Sequence, residues 1–415
     1  MPPEHSRGAM MKPPDDAAPD ASIRGLPSGI WALGTVSLFM DISSELVHSL
    51  LPIFMSTVLG VSMATIGFVE GIAEATASVT KVFSGVLSDH FRKRKFLLIL
   101  GYGLSAITKP VFPLATSIGS VFAARFVDRI GKGIRGAPRD ALIADITPPA
   151  MRGAAYGLRQ ALDSVGAFLG PLLAVAFVAW LGYHIRNVFW VAVVPAILSV
   201  GWLTIGVREP EKSQANAGKR TRFAFPGAKQ LRLHYWLVVL LGALFTMARF
   251  SDAFLVLRAQ NVGLAIGYVP AVMVVMNVFY SAAAYPAGAA ADRFSPRTLL
   301  VWGLAILILA DLLLATATVA WHVFSGALLW GLHMAFTQGL LSKLVADTAP
   351  AELRGTAFGI FNLVSGVALL LASVVAGTMW DLIGPPATFM AGASFAAIAA
   401  TGILVFRPRS YAAQN

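Results

Sequence analysis

The sequence predicts an all-α polytopic membrane protein with twelve transmembrane helices in two pseudo-symmetric six-helix bundles. Three observations predict this fold class: an apolar composition, twelve apolar segments of spanning length, and an internal repeat. Hydrophobic residues make up 57% of the 415 residues and charged residues only 13%. Because a soluble protein of this size carries far more charge on its surface, we expect the chain to reside in a lipid bilayer.

The apolar segments follow one another along most of the chain. A helix needs about 20 predominantly apolar residues to cross a bilayer. The segments that meet this requirement, numbered as spans 1 to 12, are 30–58, 64–88, 96–115, 118–145, 154–181, 187–207, 235–260, 267–291, 298–318, 321–346, 356–380 and 385–406. Each half of the chain is therefore expected to cross the membrane six times.

The spans divide the chain into five parts. Residues 29–207 form an N-terminal six-helix bundle and residues 235–407 a C-terminal one, joined by a polar, basic cytoplasmic linker at 208–234. Residues 1–28 are rich in proline, carry charges of both signs and lack an apolar stretch after a basic start. We therefore expect a disordered cytoplasmic tail there, rather than a cleavable signal peptide, and a second tail at 408–415.

Basic residues are concentrated in alternate loops. The loop between spans 2 and 3 carries Arg92, Lys93, Arg94 and Lys95, whereas LGVSM at 59–63 has no basic residue. Loops rich in Lys and Arg stay on the cytoplasmic side, so we expect both termini in the cytoplasm and the protein in the bacterial inner membrane. The same bias explains the net charge of +11, and no nucleic-acid partner is expected.

The two halves repeat each other. ALIADITPPAMRGAAYG at 141–157 reappears as KLVADTAPAELRGTAFG at 343–359, and the aspartate and the arginine of the two copies keep one common offset. Two six-helix halves related by duplication are typical of transporters, because two bundles can rock about a site held between them.

Three motifs resemble the major facilitator superfamily, and they lie in the loop between spans 2 and 3 and on spans 4 and 5. Their residues are, in that order, Gly85, Asp89 and Lys93 to Lys95; Arg125, Gly131, Gly133, Pro138, Asp145 and Arg152; and Gly166, Gly170 and Pro171. The third motif is similar to a signature of the drug:proton antiporter branch. His90, Arg92 and Arg129 depart from the usual pattern, so the resemblance implies a transporter but no particular substrate. It points to a little-characterised bacterial and archaeal subgroup.

The resemblance also implies a conformational latch made by Gly85, Asp89, Lys93 and Arg94. In the superfamily the aspartate of this loop engages a helix N-terminus and basic residues across the interface between the halves. A simple cytoplasmic anchor would explain the basic residues but not Asp89. The partners implied are a small-molecule substrate, protons and the bilayer, with a monomer expected.

Span 4 places an unusual number of charges at mid-membrane depth. Arg125, Arg129 and Lys132 share one helical face, with Asp128 beside it. A lone charge at the bilayer centre costs at least about 2.5–3.5 kcal/mol, so we predict that these four residues face a watery cavity and contact substrate. Farther along the same span, Arg135 and Arg139 are expected to snorkel to the cytoplasmic surface.

Span 1 supplies acids at the same depth. Asp41, Glu45 and His48 fall on one face, and the opposite directions of spans 1 and 4 match Asp41 with Arg129 and Glu45 with Arg125. A carboxylate held between burial and a neighbouring arginine can bind and release a proton, so Asp41 and Glu45 are proton-coupling candidates. A static, salt-bridged core is the alternative.

Two further spans in the first half carry polar pairs. Glu70, Glu74 and Lys81 lie on span 2, where Glu74 is either a second proton-coupling residue or a contact that joins helices. On span 5, Asp163 is expected to pair with Arg135 or Arg159 in a structural role.

The second half is poorer in charge and is predicted to supply an apolar or aromatic binding wall. Candidate substrate contacts are Asp252 beside Arg249 on span 7, Asn277 near Tyr280 on span 8, and Trp330 and Gln338 flanking His333 on span 10. Proton coupling is thus expected in the first half and substrate recognition in both.

No enzyme or cofactor signature is present in the sequence. It lacks a phosphate-binding glycine loop, it has no cysteine, and its seven histidines do not have the spacing of metal ligands. We therefore predict a secondary transporter that exports a small organic molecule in exchange for protons and uses no cofactor or metal. A proton-coupled transporter of an anion, such as an organic acid or a metal chelate, and a non-transporting membrane sensor or scaffold are the alternatives.

Overall fold

The computed structural model describes residues 25–91, 93–148, 151–182, 184–209, 231–350 and 353–405. Over these residues the chain folds into α-helices joined by short connections, and the predicted all-α fold class is confirmed. The helices are α1 Ser28–Ile53, α2 Met63–Phe91, α3 Arg94–Thr108, α4 Val111–Leu114, α5 Ile118–Ile146, α6 Arg152–Val175, α7 Ile185–Val191, α8 Val193–Gly206, α9 Leu233–Ala248, α10 Ala253–Asn261, α11 Ala271–Arg293, α12 Pro296–Ala315, α13 Ala320–Thr348, α14 Arg354–Leu382 and α15 Pro385–Val405. The predicted tails and most of the predicted linker lie outside the described residues.

Three of the predicted spans consist of two helices each. Span 3 comprises α3 and α4, span 6 comprises α7 and α8, and span 7 comprises α9 and α10. In span 7 the helix stops at Ala248 and resumes at Ala253, and the intervening Phe250 and Ser251 are buried. Non-helical backbone at membrane depth is tolerated only where protein or a water-filled cavity surrounds it. This break therefore marks the interior of the second half.

Length and composition together account for the membrane-spanning helices. Nine helical segments in the described part of the chain are both long and apolar enough to cross a membrane. The helices α2, α5 and α13 fall outside that set although each has 29 residues, about 43 Å at 1.5 Å per residue. Helices α2 and α5 carry the charged residues that the sequence places at mid-membrane depth. Their polarity therefore reflects function or pairing inside the bundle, and not a location in water.

The two halves of the protein meet near one end of the bundle. At the opposite end, which we call the linker end, Glu209 accepts hydrogen bonds from the backbone N–H groups of Arg94 (2.8 Å) and Lys95 (2.9 Å). Close contacts between the halves lie toward the other end, which we call the far end. There Gly67 and Gly377 allow α2 and α14 to touch backbone to backbone, and Gly267 packs on Ala179.

A carboxylate also joins the halves at the far end. Asp381, near the end of α14, accepts hydrogen bonds from the backbone N–H groups of Met63 (3.0 Å) and Ala64 (2.8 Å) at the start of α2. The first N–H groups of a helix have no partner inside that helix, and the helix dipole favours an anion beside them. Asp381 thus caps a helix of the other half and helps to close the far end.

Candidate functional site

Two cavities lie between the halves. The larger cavity has a volume of about 390 Å³ and the smaller about 180 Å³. Glu45, Glu74, Lys132, Ala167 and Asn277 line both of them. The lining of the larger cavity continues toward the linker end through Arg139, Gln160, Asp163 and Ser281. The space between the halves therefore opens at the linker end, while the contacts described above close the far end.

All three predicted proton-coupling acids line the larger cavity. Asp41 and Glu45 come from α1 and Glu74 comes from α2. Close packing of α6 on α1 fixes the first two, because Gly166 lies against Asp41 and Gly170 against Glu45. Within the described part of the chain, Asp41 forms no ion pair within 4.0 Å. Asp41 therefore presents a carboxylate to the cavity that no neighbouring cation holds.

The predicted pairing between α1 and α5 is wrong. Arg125 donates to Glu70 at 2.7 Å and Arg129 lies 3.0 Å from Glu74, so both arginines pair with α2. Position along each span predicts the depth of a side chain but not the neighbouring helix toward which that side chain points. Gly133 brings α5 against the α2 residues Ala77 and Thr80, and this contact turns the arginine face toward α2.

Asp128 lies on another face of α5, away from both cavities. Lys109, at the end of α3, contacts the Asp128 carboxylate at 3.0 Å and the Ser44 hydroxyl at 3.1 Å. Both partners of the ion pair are buried. The predicted substrate contact of Asp128 therefore has no support in this placement, and Lys109 is a partner that the sequence reading missed. The one feature of the sequence that could have indicated this role is that Lys109 is a lone basic residue within the apolar span 3.

The expectation that Arg135 and Arg139 snorkel to the surface is also wrong. Arg135 is buried, donates to the Ser105 hydroxyl at 2.6 Å and places its guanidinium 4.8 Å from the centre of the Tyr102 ring. Arg139 donates to the Ser37 hydroxyl at 2.6 Å. Polar partners inside the first bundle therefore replace the membrane surface, and both arginines line the larger cavity.

Asp163 lies on the wall of the larger cavity and contacts two arginines. Its carboxylate lies 3.3 Å from Arg159 and 3.7 Å from Arg139. The predicted pairing with Arg159 is confirmed.

The second half contributes to the smaller cavity through the break in span 7. Arg249 and Asp252 line this cavity, and the Asp252 carboxylate accepts a hydrogen bond of 3.1 Å from the Trp330 indole N–H. Trp330 itself is fully buried and lies behind the wall rather than on it. Asn277 lines both cavities and donates to the Ala167 carbonyl of the first half at 3.2 Å.

The apolar part of that wall consists mainly of methionines. Met273, Met276 and Met334 line the smaller cavity together with Phe250 and Leu369. An apolar or aromatic wall was expected, with Trp330 as a substrate contact; Phe250 is the aromatic residue on the wall, and Trp330 lies behind it. Methionine side chains are flexible and polarisable, so they adapt to ligands of different shape. Gln338 lies outside the described side chains.

Two of the predicted latch residues can be placed. Arg94 pairs with Asp145 on α5 and donates to the Ala141 carbonyl, contacts that stay within the first half, and Lys93 is exposed. The surroundings of Gly85 and the side chain of Asp89 lie outside the part of the structure that is described. Among the side chains that can be placed, no group of three or more His, Asp or Glu residues could hold a metal ion.

Comparison with known proteins agrees with this architecture. The sequence pattern of the Major Facilitator Superfamily matches residues 32–276 and 253–415. An uncharacterised transporter of that type from Methanocaldococcus jannaschii is 32% identical over 389 residues, which are 92% of this chain and 95% of the relative. The class H tetracycline resistance protein of Pasteurella multocida is 25% identical over 312 residues, 70% of this chain and 74% of that protein.

A solved structure supports the fold independently of close sequence similarity. The crystal structure of a nucleoside transporter matches with a TM-score of 0.75 at 15% identity, covering 90% of this chain and 98% of the other. At that identity the likeness concerns the fold alone. Since the superfamily pattern and the archaeal relative each cover most of the sequence, the chain belongs to the Major Facilitator Superfamily, whose members are membrane transporters and not enzymes.

Proposed function

We propose that the protein is a proton-coupled exporter of a small organic molecule. The observation that carries this proposal is the Asp41 carboxylate, which faces the larger cavity without an ion-pair partner among the described residues. Similarity to a tetracycline resistance protein supports export of an organic compound. The basic loops favour an inner-membrane location with both termini in the cytoplasm, in which case the larger cavity opens to the cytoplasm.

Asp41 can couple proton binding to closure of the cavity. When the linker end closes, a charged Asp41 would lose its contact with cavity water. Arg129 is held by Glu74 and Arg139 contacts Asp163, so this charge stays uncompensated unless the Lys132 ammonium, which lines the same cavity, moves to it. An uncompensated charge at that depth costs at least about 2.5–3.5 kcal/mol. A bound proton, or a cationic substrate in its place, removes that cost. Proton and substrate can therefore compete for one carboxylate, as exchange requires.

A transport assay tests this role. A thermal-shift screen of small organic compounds, tetracycline among them, first identifies a ligand that stabilises the purified protein. In proteoliposomes with an imposed pH gradient, Asp41→Asn should abolish gradient-driven transport of that ligand while substrate counterflow persists. Asp140→Asn is the matched control, since Asp140 lies outside both cavity linings and pairs with Arg159 at 2.9 Å. Unchanged proton coupling in Asp41→Asn would refute the assignment.

A second candidate function is proton-coupled transport of an anion. Lys81 and Lys132 line the larger cavity, and neither forms an ion pair within 4.0 Å with another described residue. These two ammonium groups could hold a carboxylate or a chelate. If the ligand is an anion, Lys132→Gln should weaken its binding about tenfold, roughly 1.4 kcal/mol, while a neutral analogue binds as before. Equal effects on both ligands would exclude the anion site.

A further inference from the structure

His48 lies on the wall of the smaller cavity, and its ring is placed between two carboxylates. Its Nδ1 atom is 3.5 Å from an oxygen of Glu45, and its Nε2 atom is 3.5 Å from an oxygen of Glu70. Glu45 is one turn away on α1, whereas Glu70 belongs to α2 and is fully buried. The imidazole therefore bridges a carboxylate that lines the cavities and one in the protein interior.

The hydrogen-bonding capacity of histidine determines which form fits this position. A neutral imidazole has one N–H donor and one acceptor nitrogen, whereas the imidazolium ion has two donors. An ionised carboxylate offers only acceptors. A neutral His48 would direct a lone pair at one of the two carboxylates, and only the imidazolium satisfies both. The geometry thus selects the form of His48 that holds an extra proton.

The charges of the groups in direct contact with His48 are compatible with the same form. Arg125 donates to Glu70 at 2.7 Å, and both side chains are buried. This contact keeps Glu70 ionised, because the guanidinium is a permanent cation. With His48 protonated, the four groups Glu45, His48, Glu70 and Arg125 carry two negative and two positive charges. Without that proton these four groups would hold one net negative charge, which only a cation outside the four could compensate.

Other charged groups face the same region from the surrounding helices. Glu74 comes from α2 and Arg129 from α5, and these two residues pair with each other at 3.0 Å. Arg249 and Asp252 come from the break between α9 and α10 and line the smaller cavity with His48. Each of these pairs contributes one charge of either sign. Lys132 of α5 also lines this cavity and adds a positive charge that has no ion-pair partner within 4.0 Å among the described residues, so the assignment rests on the contacts of His48 with Glu45 and Glu70 and not on the net charge of the region.

We propose that His48 is a proton-binding site, occupied in the conformation that is open at the linker end and held by Glu45 and Glu70 together. A movement that separates either carboxylate from the ring leaves the second N–H without a partner and releases that proton to water. The proton-binding site stands on the geometry alone. Its use in coupling rests on the proposed exporter function.

Solid-state NMR of the full chain in liposomes tests the site directly. The protein is labelled with ¹⁵N-histidine, and the difference from His48→Gln identifies the His48 signals among the seven histidines. At pH 8 an imidazole in water is almost entirely neutral. We expect both His48 nitrogens to show imidazolium shifts at that pH. His333 is the internal control: Nδ1 of this buried ring lies 2.8 Å from the Gly303 carbonyl, the ring forms no ion pair with another described residue, and neutral shifts are expected.

A second variant keeps the test decisive if His48→Gln does not fold. Glu45→Gln preserves the histidine but replaces one ionised carboxylate with a neutral amide. At pH 8 this change should convert most of the His48 imidazolium into neutral imidazole, so that the His48 nitrogens show neutral shifts. The His333 signals should not move. Neutral His48 signals in the unmodified protein at pH 8, or an imidazolium population unaffected by Glu45→Gln, would overturn the proposal. This readout requires no transport, so its failure is distinct from a failure of the exporter assignment.

Discussion

Gly166 lies so close to Asp41 that a Cβ atom added to the glycine would be 2.8 Å from the Asp41 Cβ. One turn farther along α6, Gly170 has the same relationship with Glu45. The motif that resembles an antiporter signature therefore does more than allow two helices to pack. It sets the positions of Asp41 and Glu45, two of the acids that line the larger cavity, because only a residue without a side chain permits this approach.

The first prediction concerns this contact. Gly166→Ala should lower stability by about 1–3 kcal/mol, because the new methyl group forces α6 away from α1. Gly157→Ala on the same helix is the matched control, since nothing lies within 4 Å of its added Cβ. Replacing glycine with alanine inside a helix raises stability by about 0.5–1 kcal/mol, and we expect this gain for Gly157→Ala. Thermal unfolding of the purified variants measures both effects, and a Gly166→Ala protein as stable as Gly157→Ala would contradict the close packing.

The fold could be predicted from the sequence because insertion into a membrane requires recognisable patterns of apolar and basic residues. Apolar segments of spanning length, the basic loops and the repeat between the halves each constrain the helices without knowledge of their packing. Helical periodicity and depth also placed Asp41 and Glu45 on one face of α1, and both line the larger cavity. For Glu74 the sequence left two roles open, and its place on the same cavity comes from the structure.

Partners inside the bundle were harder to predict. Depth places Arg125 level with Glu45, but the rotation of α5 decides which neighbour its face meets, and Gly133 turns that face toward Glu70. The role of Lys109 depends equally on a contact between helices that are separate in sequence. Such pairings arise from tertiary packing, which periodicity within a single helix does not encode.

The second prediction concerns the Lys109–Asp128 ion pair. Lys109→Met should destabilise the protein by about 3–5 kcal/mol, because it leaves Asp128 buried without its cation. The double variant Lys109→Met with Asp128→Leu removes both charges and should recover most of that loss. Unfolding temperatures of the three proteins provide the comparison. A double variant as unstable as Lys109→Met would show that the loss of stability does not come from an unpaired Asp128 carboxylate.

The third prediction concerns closure of the far end. Opening that end must break both hydrogen bonds between the Asp381 carboxylate and the start of α2. The loss of a helix cap costs about 0.5–2 kcal/mol. Asp381→Ala should therefore shift the population toward the conformation open at the far end by roughly 2- to 30-fold. Asp381→Asn, which keeps one acceptor oxygen but loses the charge, should have an intermediate effect.

Distances between spin labels measure this shift. The chain has no cysteine, so labels attached at Val58→Cys and Leu382→Cys, both exposed at the far end, are the only ones present. Asp381→Ala should increase the population of long distances between them. Ser62→Ala is the matched control, because the Ser62 hydroxyl accepts from the Thr65 N–H at 3.2 Å within the same half. That variant weakens the start of α2 without releasing the other half, so its distances should remain short. Equal distance distributions for Asp381→Ala and the unmodified protein would show that Asp381 does not hold the halves together.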